Sequence, residues 1–556
     1  MKNNEVGAEI CRTMKILAAD RVLLETNWYD AYQYTFPLRG QNILSQNDSG
    51  FTNANQAFDD KAEIFDTTGS DAARLLASSM LSGLTPPNSK WFTLKVPDID
   101  KDTVSQDAKE WLQSASSKLF NAIHASNYDS EAFEFMIDMV VGGFAGLYTE
   151  ITDDGDLMFE AWPLDSLYLE ETMKRGIVDT VYRTMMMTAP QAVHKFGIDN
   201  VPEKIRKSYK EGKAGKDRFE FTHCIRPRVK NGVQATGTLT NNLPFESIYV
   251  AVETKTIVKE SGYHEFPAAI ARWMKIPRTP YAVGAIDTAL PDIKTLNRVV
   301  QMMLTNAEMS IAGTFVATHD GVINQNTLRI GPRSVIFAAN VNNIKPLGTA
   351  GNFAIAGTEI DRLQSQIKRT MMSDQLSPPR QSGNPASATE IRARVQMIRQ
   401  TLGPVYGRFS NEYLQILLTR CFGLLLRDGQ FGEPPAELMD GTAFIPEYTS
   451  PLARAQRLEE VLQQDAFEAS LANMAQIKPE LLDLYKFDEA ARMKAEAMNI
   501  NYAYFRTESE VKKLRADRAA AQQQAEQQLQ QTQELQDDGQ AIQNEQQLNQ
   551  VLGGEE

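Results

Sequence analysis

The chain has 556 residues, 42% hydrophobic and 23% charged, with 57 Lys and Arg against 71 Asp and Glu, a net charge of −14. This is ordinary globular material, enough for about two to four domains with a large core. The acidic balance excludes a protein that grips nucleic acid over its whole surface, because phosphate binding needs clustered Lys and Arg.

Cys11, Cys224 and Cys421 are too few for a disulfide scaffold and too far apart for a metal knuckle or redox pair, which fits a reducing cytosol. The N-terminus has Lys2 and Lys15 without a continuous apolar stretch between them, so no secretory signal is read there. The most apolar run, Met136 to Tyr148, carries Asp138 and falls well under the ~18 residues a span needs, which predicts a soluble protein with no membrane contact.

From the start, Val6 to Tyr34 reads as a helix with Ile10, Leu17, Val22 and Leu24 as core candidates. Trp28, Tyr29, Tyr32 and Tyr34 have few basic neighbours, so they read as core or subunit interface rather than as a base-stacking platform. After a polar loop, Gln41 to Gln56, a helix rich in Ala and Ser runs from Asp59 to Leu84 and ends at Pro86-Pro87. Trp111 to Tyr128 and Ser130 to Val141 are helical. Gly146 to Thr152 and Leu157 to Trp162 form a hairpin around Asp153-Asp154-Gly155-Asp156. Those aspartates lack the spacing and closing Glu of a calcium loop and read as a turn. Trp162 to Thr184 is strand, turn and strand, with further strands at Phe219 to Arg226, Ser247 to Glu253 and Thr256 to Glu260. Between them the basic segment Lys204 to Lys216 reads as a solvated loop, with a DNA contact as its alternative.

The stretch from Asp287 to Gly429 is the most ordered in pattern. Ile286, Leu290, Ile293, Val300, Met303, Leu304, Ala307 and Ile311 form an apolar stripe over roughly six turns, with Lys294, Arg298 and Asn306 on the other face. Short β-type runs follow at Thr314 to Thr318, Thr327 to Ile330 and Ser334 to Ala338. Helix resumes at Thr358, which makes an imperfect capping box with Asp361, and carries Ile360, Leu363, Ile367 and Met371. Ser377 to Ala388 holds three prolines and nothing large to bury, so it is an exposed loop. A Ser387/Glu390 capping box then opens a helix from Ala388 to Asp428, stopped by Gly429. At 1.5 Å per residue it is about 60 Å long, with a kink expected at Gly403, Pro404 and Gly407.

Two helices bracketing a small insert, then a loop, the capping run Ser387 to Ile391 and a long kinked helix, resemble the portal, or head-to-tail connector, proteins of short-tailed double-stranded DNA phages. Arg272 to Asn297 is similar to that family's lead-in to its first stem helix. The resemblance covers most of the chain and rests on the order of parts. It implies an α+β, mainly helical fold with wing, stem, clip and crown regions, assembled as a ring. Residues 1–286 would be the wing, with a β-rich subdomain at about 142–260; 287–312 the first stem helix; 313–357 the clip; 358–376 the second stem helix; 377–387 the tunnel loop; and 388–429 the long wing helix.

It further implies a homododecamer in the virion, at the capsid portal vertex, assembled in the host cytoplasm. Double-stranded DNA would pass through it in packaging and ejection. Its partners would be the terminase large subunit, then a tail adaptor protein, with major capsid and scaffolding proteins and internal core proteins around it. Arg380, with Gln381 and Asn384, would meet DNA from the tunnel loop, and Arg329 and Arg333 are the clip docking candidates. Twelve copies would carry about −170 (12 × −14), which favours sliding of DNA over adhesion.

Beyond Gly429, Pro434-Pro435 and Gly441 mark one linker, and Pro446 and Pro451 a second. Leu452 to Met474, Pro479 to Tyr485 and Asp488 to Met498 read as helices, matching the crown, so that 430–505 would be crown helices. Residues 506–556 are rich in Gln, with Leu529, Leu535, Ile542 and Leu548 near heptad spacing, and read either as a helix of a ring-borne barrel or as a disordered tail.

No phosphate-binding loop, zinc-protease helix or Gly-x-Ser-x-Gly elbow is present, and His124, His194, His223, His264 and His319 are scattered, so no enzyme, metal or cofactor is expected. The alternatives are a tail adaptor or internal core structural protein and, more remotely, a nucleic-acid enzyme.

Overall fold

The computed structural model describes residues 2–40, 43, 60–88, 90–95, 106–173, 176–212, 217–230, 233–235, 237, 242–312, 315–317, 344–346, 353–376, 403, 405–435, 445–448, 451–476, 478, 480, 485–498, 506 and 510–528. The chain divides into two compact units: Met1–Pro97 with Ala115–Glu433 and Ala443–Ala453, and Asp98–Ser114 with Pro434–Thr442 and Arg454–Glu556.

In the first unit, helix α1 (Lys2–Gln33) buries Ile10, Met14, Arg21, Trp28, Ala31 and Tyr32, a stripe at spacings near three, four and seven. Val22 was expected on that stripe but is 50% exposed, and Arg21 takes the buried place. The arginine is held there because its guanidinium donates to the carbonyls of Leu167 and Asp165, pairs with Glu25 at 2.8 Å and lies 3.8 Å from the centre of the Tyr168 ring. The helix expected from Asp59 to Leu84 is interrupted: residues 60–62 are helical, 63–67 are not, and α2 (Thr68–Leu84) carries the rest, with Asp66 accepting the Thr68 N–H ahead of it. Its small residues do permit close packing, since a Cβ on Gly69 would come within 2.9 Å of Ile293.

Next come α3 (Gln106–Ala125) and α4 (Tyr128–Gly142). Helix α4 buries residues all round, from Tyr128 through Phe135 and Met136 to Val141, which makes it the central helix of this unit. Its one buried charge, Asp138, accepts hydrogen bonds from Tyr32 at 2.7 Å and from Arg39 at 2.8 Å. The apolar run beginning at Met136 is therefore helix interior passing straight into a core strand.

The strands are β1 (Phe92–Lys95), β2 (Phe144–Ile151), β3 (Leu157–Trp162), β4 (Leu167–Glu170), β5 (Thr180–Thr188), β6 (Arg218–Pro227), β7 (Val229–Lys230), β8 (Val233–Gln234), β9 (Phe245–Ala251), β10 (Thr256–Tyr263), β11 (Ala268–Arg272), β12 (Met274–Lys275) and β13 (Ala282–Val283). The expected hairpin is β2–β3, in register Ile151 with Leu157, and Gly155 supplies the positive φ of +87° that its turn needs. One antiparallel sheet runs β11-β2-β3 and another β10-β9-β6-β5-β4. Period-two alternation splits the second sheet between two covers. Ile248 and Val250 face α1 with Cys224 and Tyr182, while Tyr249, Phe219 and Phe221 face the helices α5 (Ala189–Phe196) and α6 (Glu203–Lys210).

Helix α6 corrects the reading of Lys204 to Lys216 as a loop. Ile205 and Ser208 supply the inward face, Pro202 precedes the helix, and Glu203 at the start with Lys207 and Lys210 at the end match the helix dipole.

Helices α7 (Ala285–Ala312) and α8 (Phe353–Thr370) follow, with the paired strands β14 (Phe315–Ala317) and β15 (Ile344–Pro346) between them in sequence. Helix α8 starts five residues before the expected Thr358, which lies inside it, so the Thr358/Asp361 capping box does not form its start. Nor does it run unbroken to Leu376: Met372 takes a φ of +55°, and a short turn, α9 (Ser373–Leu376), follows.

The long helix is described at 403 and from 405 onward. It contains a π turn, Ser410–Leu414, then α10 (Gln415–Arg427), and Gly429 at φ +78° ends it. Strand β16 (Ile445–Tyr448) pairs with β1.

In the second unit, α11 (Pro451–Ala475) and α12 (Phe487–Met498) are tied by Lys494, 2.6 Å from both Asp465 and Glu468. Tyr485 donates to Glu468 and accepts from Gln464. Residues 510–528 are helical and almost wholly exposed. No helix among the described residues is long and apolar enough to cross a membrane.

Candidate functional site

The α7–α8 pair and the long helix are tied to their surroundings by polar contacts that range from exposed to buried. Gln366 donates to Asp292 at 2.9 Å, linking the two helices. At the base of α7, Asn27 donates to Asp287 and Lys294 pairs with Asp30, both at 2.5 Å; Asn297 accepts from Phe65 N–H at 2.7 Å and donates to the Glu63 carbonyl at 2.9 Å. Gln364 reaches Asp66 at 2.8 Å. These bonds locate the helix base by direction as well as by packing.

The apolar stripe of α7 is buried only in its first half, at Ile286, Ala289, Leu290, Ile293 and Leu296. Val300 and Met303 are half-buried, and Leu304, also expected on the stripe, is 50% exposed. On α8, Leu363 and Ile367 are buried as expected, with Met371 just beyond, while Ile355 is 67% exposed.

The strut between the sheet and the long helix is Arg272, at the end of β11 and 1% exposed. It donates to both oxygens of Glu412, at 3.0 and 2.6 Å, to Glu171 at 3.1 Å, and to the carbonyls of Gly176 and Pro280. Glu412 lies in the π turn, whose next residue, Tyr413, is fully buried, stacks on Phe135 at 4.5 Å and shares a hydrogen bond with Tyr128 at 2.9 Å. Successive residues of an α-helix point about 100° apart. The π turn presents Glu412 to Arg272 of β11 and Tyr413 to α4, and Arg408 one turn earlier donates to the Trp273 carbonyl at 2.8 Å. Further along, Glu265 receives Arg427 at 2.6 Å and Arg420 at 3.2 Å, packed so tightly that a Cβ on Gly423 would meet it.

Arg380, Gln381 and Asn384, the clip candidates Arg329 and Arg333, Pro404 and residues 529–556 lie outside the described residues. Gly403 and Gly407 are described and helical, with open space where a Cβ would stand. Sequence reasoning missed Arg272, Glu412 and Tyr413. The signal available was an Arg at a strand end and adjacent Glu-Tyr in a helix, which is not specific. Among the described residues no cluster of His, Cys, Asp or Glu could hold a metal ion.

His223 is the one fully buried histidine of the two-sheet region, stacked on Tyr249 at 3.9 Å and 2.8 Å from the Ser247 hydroxyl. Burial, and then the cations Lys195, Arg183 and Lys259, hold it well below its ordinary 6.5. Below about pH 6.5 the unfolded chain binds a proton that the folded chain refuses, so stability falls as pH drops, by up to about 1.4 kcal/mol per unit. Denaturant unfolding at pH 7.5 and pH 5 should show this loss, and His223→Gln should reduce it; an unchanged pH slope in the variant would assign the loss to other groups.

Residues 8–504 match the bacteriophage head to tail connecting protein family. The chain belongs to that family. It is 26% identical over 542 residues to the portal protein of Salmonella phage epsilon15, covering 91% of each chain. It is 27% identical over 530 residues to the probable portal protein of Bordetella phage BPP-1, covering 92% of this chain and 91% of that one. As a connector of this family, the chain is a virion structural protein in kind, and neither the tail-adaptor nor the enzyme reading is favoured.

Proposed function

We propose that this connector is a phage portal: a closed ring at one capsid vertex through which double-stranded DNA enters and leaves, and on which the terminase motor and later the tail dock. The observation that carries this is the family match over residues 8–504, joined by two portal relatives aligned over nearly their whole length. In this reading 287–312 and 358–376, carried mainly by α7 and α8, are the stem helices, 313–357 the clip, 377–387 the tunnel loop, 388–429 the long wing helix and 430–505 the crown. The half-exposed second half of α7 and Ile355 of α8 support it, because a ring buries such surface against the next copy by a heterologous contact that closes. The ring would hold twelve subunits, hydrolyse no ATP itself and contact capsid and scaffolding proteins around the wing. Negative-stain images of the purified protein test the reading: rings with a central hole are expected, and a protein that stays monomeric at micromolar concentration would refute it.

Arg380 is proposed as the DNA contact of the tunnel loop, since a lone guanidinium per subunit gives a ring of phosphate contacts without base preference. Arg380→Ala should leave rings intact while genome retention falls, and Arg380→Glu should be worse. If both variants fail at ring assembly, Arg380 is an interface residue instead.

A further inference from the structure

One segment of this acidic chain is basic. Between His194 and Arg218 stand eight Lys and Arg against four Asp and Glu, a net of +4 in a chain of −14. The fold concentrates part of that charge. Helix α6 turns Ile205 and Ser208 inward, Ser208 donating to Asp217 at 3.0 Å, and leaves Lys204, Lys207, Tyr209 and Lys210 exposed. Lys204 has a surface partner, Glu253, at 2.6 Å. Lys207, Lys210 and Arg218 make no ion pair among the described residues.

Three lysines at intervals of three residues occupy about 9 Å of helix and an arc of about 120°. Duplex DNA offers about one phosphate per 1.7 Å of its axis, so a row of flexible ammonium groups on that scale can meet several. A protein partner fits less well: interface cores are depleted in lysine and built around buried apolar anchors, and the only large apolar side chain exposed on α6 is Tyr209. The tyrosine adds a phenol that can donate to a phosphate oxygen, a contact that positions without reading sequence.

We infer that the outer face of α6, together with Arg218, is a binding site for the phosphate backbone of double-stranded DNA, separate from the tunnel loop. It rests on the portal reading only for the choice of DNA as the polyanion. The site is weak by design of its chemistry: exposed lysines hold DNA at low salt and release it as salt rises.

The test is fluorescence anisotropy of the full-length protein with two unrelated 30-base-pair duplexes over a salt series. Lys207→Gln, Lys210→Gln and Arg218→Gln combined should make the log–log salt slope shallower by about 2.7, at about 0.9 per phosphate contact, equally for both duplexes. Should the triple variant not fold, Lys207→Gln and Lys210→Gln singly should each reduce the slope by about 0.9. Unchanged slopes overturn the inference. So does loss of binding to a polyglutamate peptide with DNA binding intact, which would make α6 a dock for an acidic protein. Ring images, read separately, decide the portal reading whichever way this titration falls.

Discussion

Arg272→Ala is expected to destabilise the first unit by about 3–5 kcal/mol, the cost of leaving a buried partner charge uncompensated. Glu171 keeps Lys275 at 2.7 Å, so the stranded group is Glu412, which loses both its guanidinium contacts. In a unit of this size the melting temperature should drop by roughly 3–6 °C. Hydrogen exchange should rise at residues 405–414, because the π turn loses the bond that fixes its register. Arg272→Lys should recover less than half, since an ammonium cannot serve Glu412, Glu171 and two carbonyls with one planar fork. Glu412→Gln should cost less, because the amide retains one oxygen to accept. A melting point for Arg272→Ala within 1 °C of the parent would show that the strut contributes no stability.

Gly143→Ala should be nearly as damaging for a different reason. Gly143 ends α4 at φ +94°, and a Cβ there would stand 2.4 Å from the backbone carbon of Val283 and 2.6 Å from Gly284 N and Ala282 O. Main-chain atoms cannot rotate aside as a side chain can, so strain and overlap add to about 3 kcal/mol. Gly429→Ala is the control: its φ is +78° but nothing lies within 4 Å, so only the left-handed strain of about 1 kcal/mol applies. Equal losses of stability in the two variants would mean that the approach of α4 to β13 is loose and the geometry at Gly143 has been misjudged.

Much of the fold was legible because it is written locally. The α7 stripe, the Asp-Gly hairpin, the alternation in β6 and β9 and the glycine stop at Gly429 each depend on neighbours within a few residues. Apolar periodicity reports such neighbours directly. Helix bounds were less legible: the helix read from Asp59 is broken at 63–67, α8 starts five residues earlier than expected, and α6 was missed, because a short amphipathic helix rich in lysine resembles a solvated loop until the sheet surface it covers is known.

What the sequence by itself determined was the family, and the run of helix, short strands and helix through α7, β14, β15 and α8. What only the tertiary structure decided was where charge enters the core. Arg21 displaces Val22 because carbonyls 144 and 146 residues away accept from it. Arg272 is buried because carboxylates 101 and 140 residues away converge on it, and the long helix takes a π turn where Glu412 and Tyr413 must both face inward. A buried ion is affordable only once its partners are in place. Partners that distant leave no periodic trace in the chain, so those positions stay hidden until the fold assembles them.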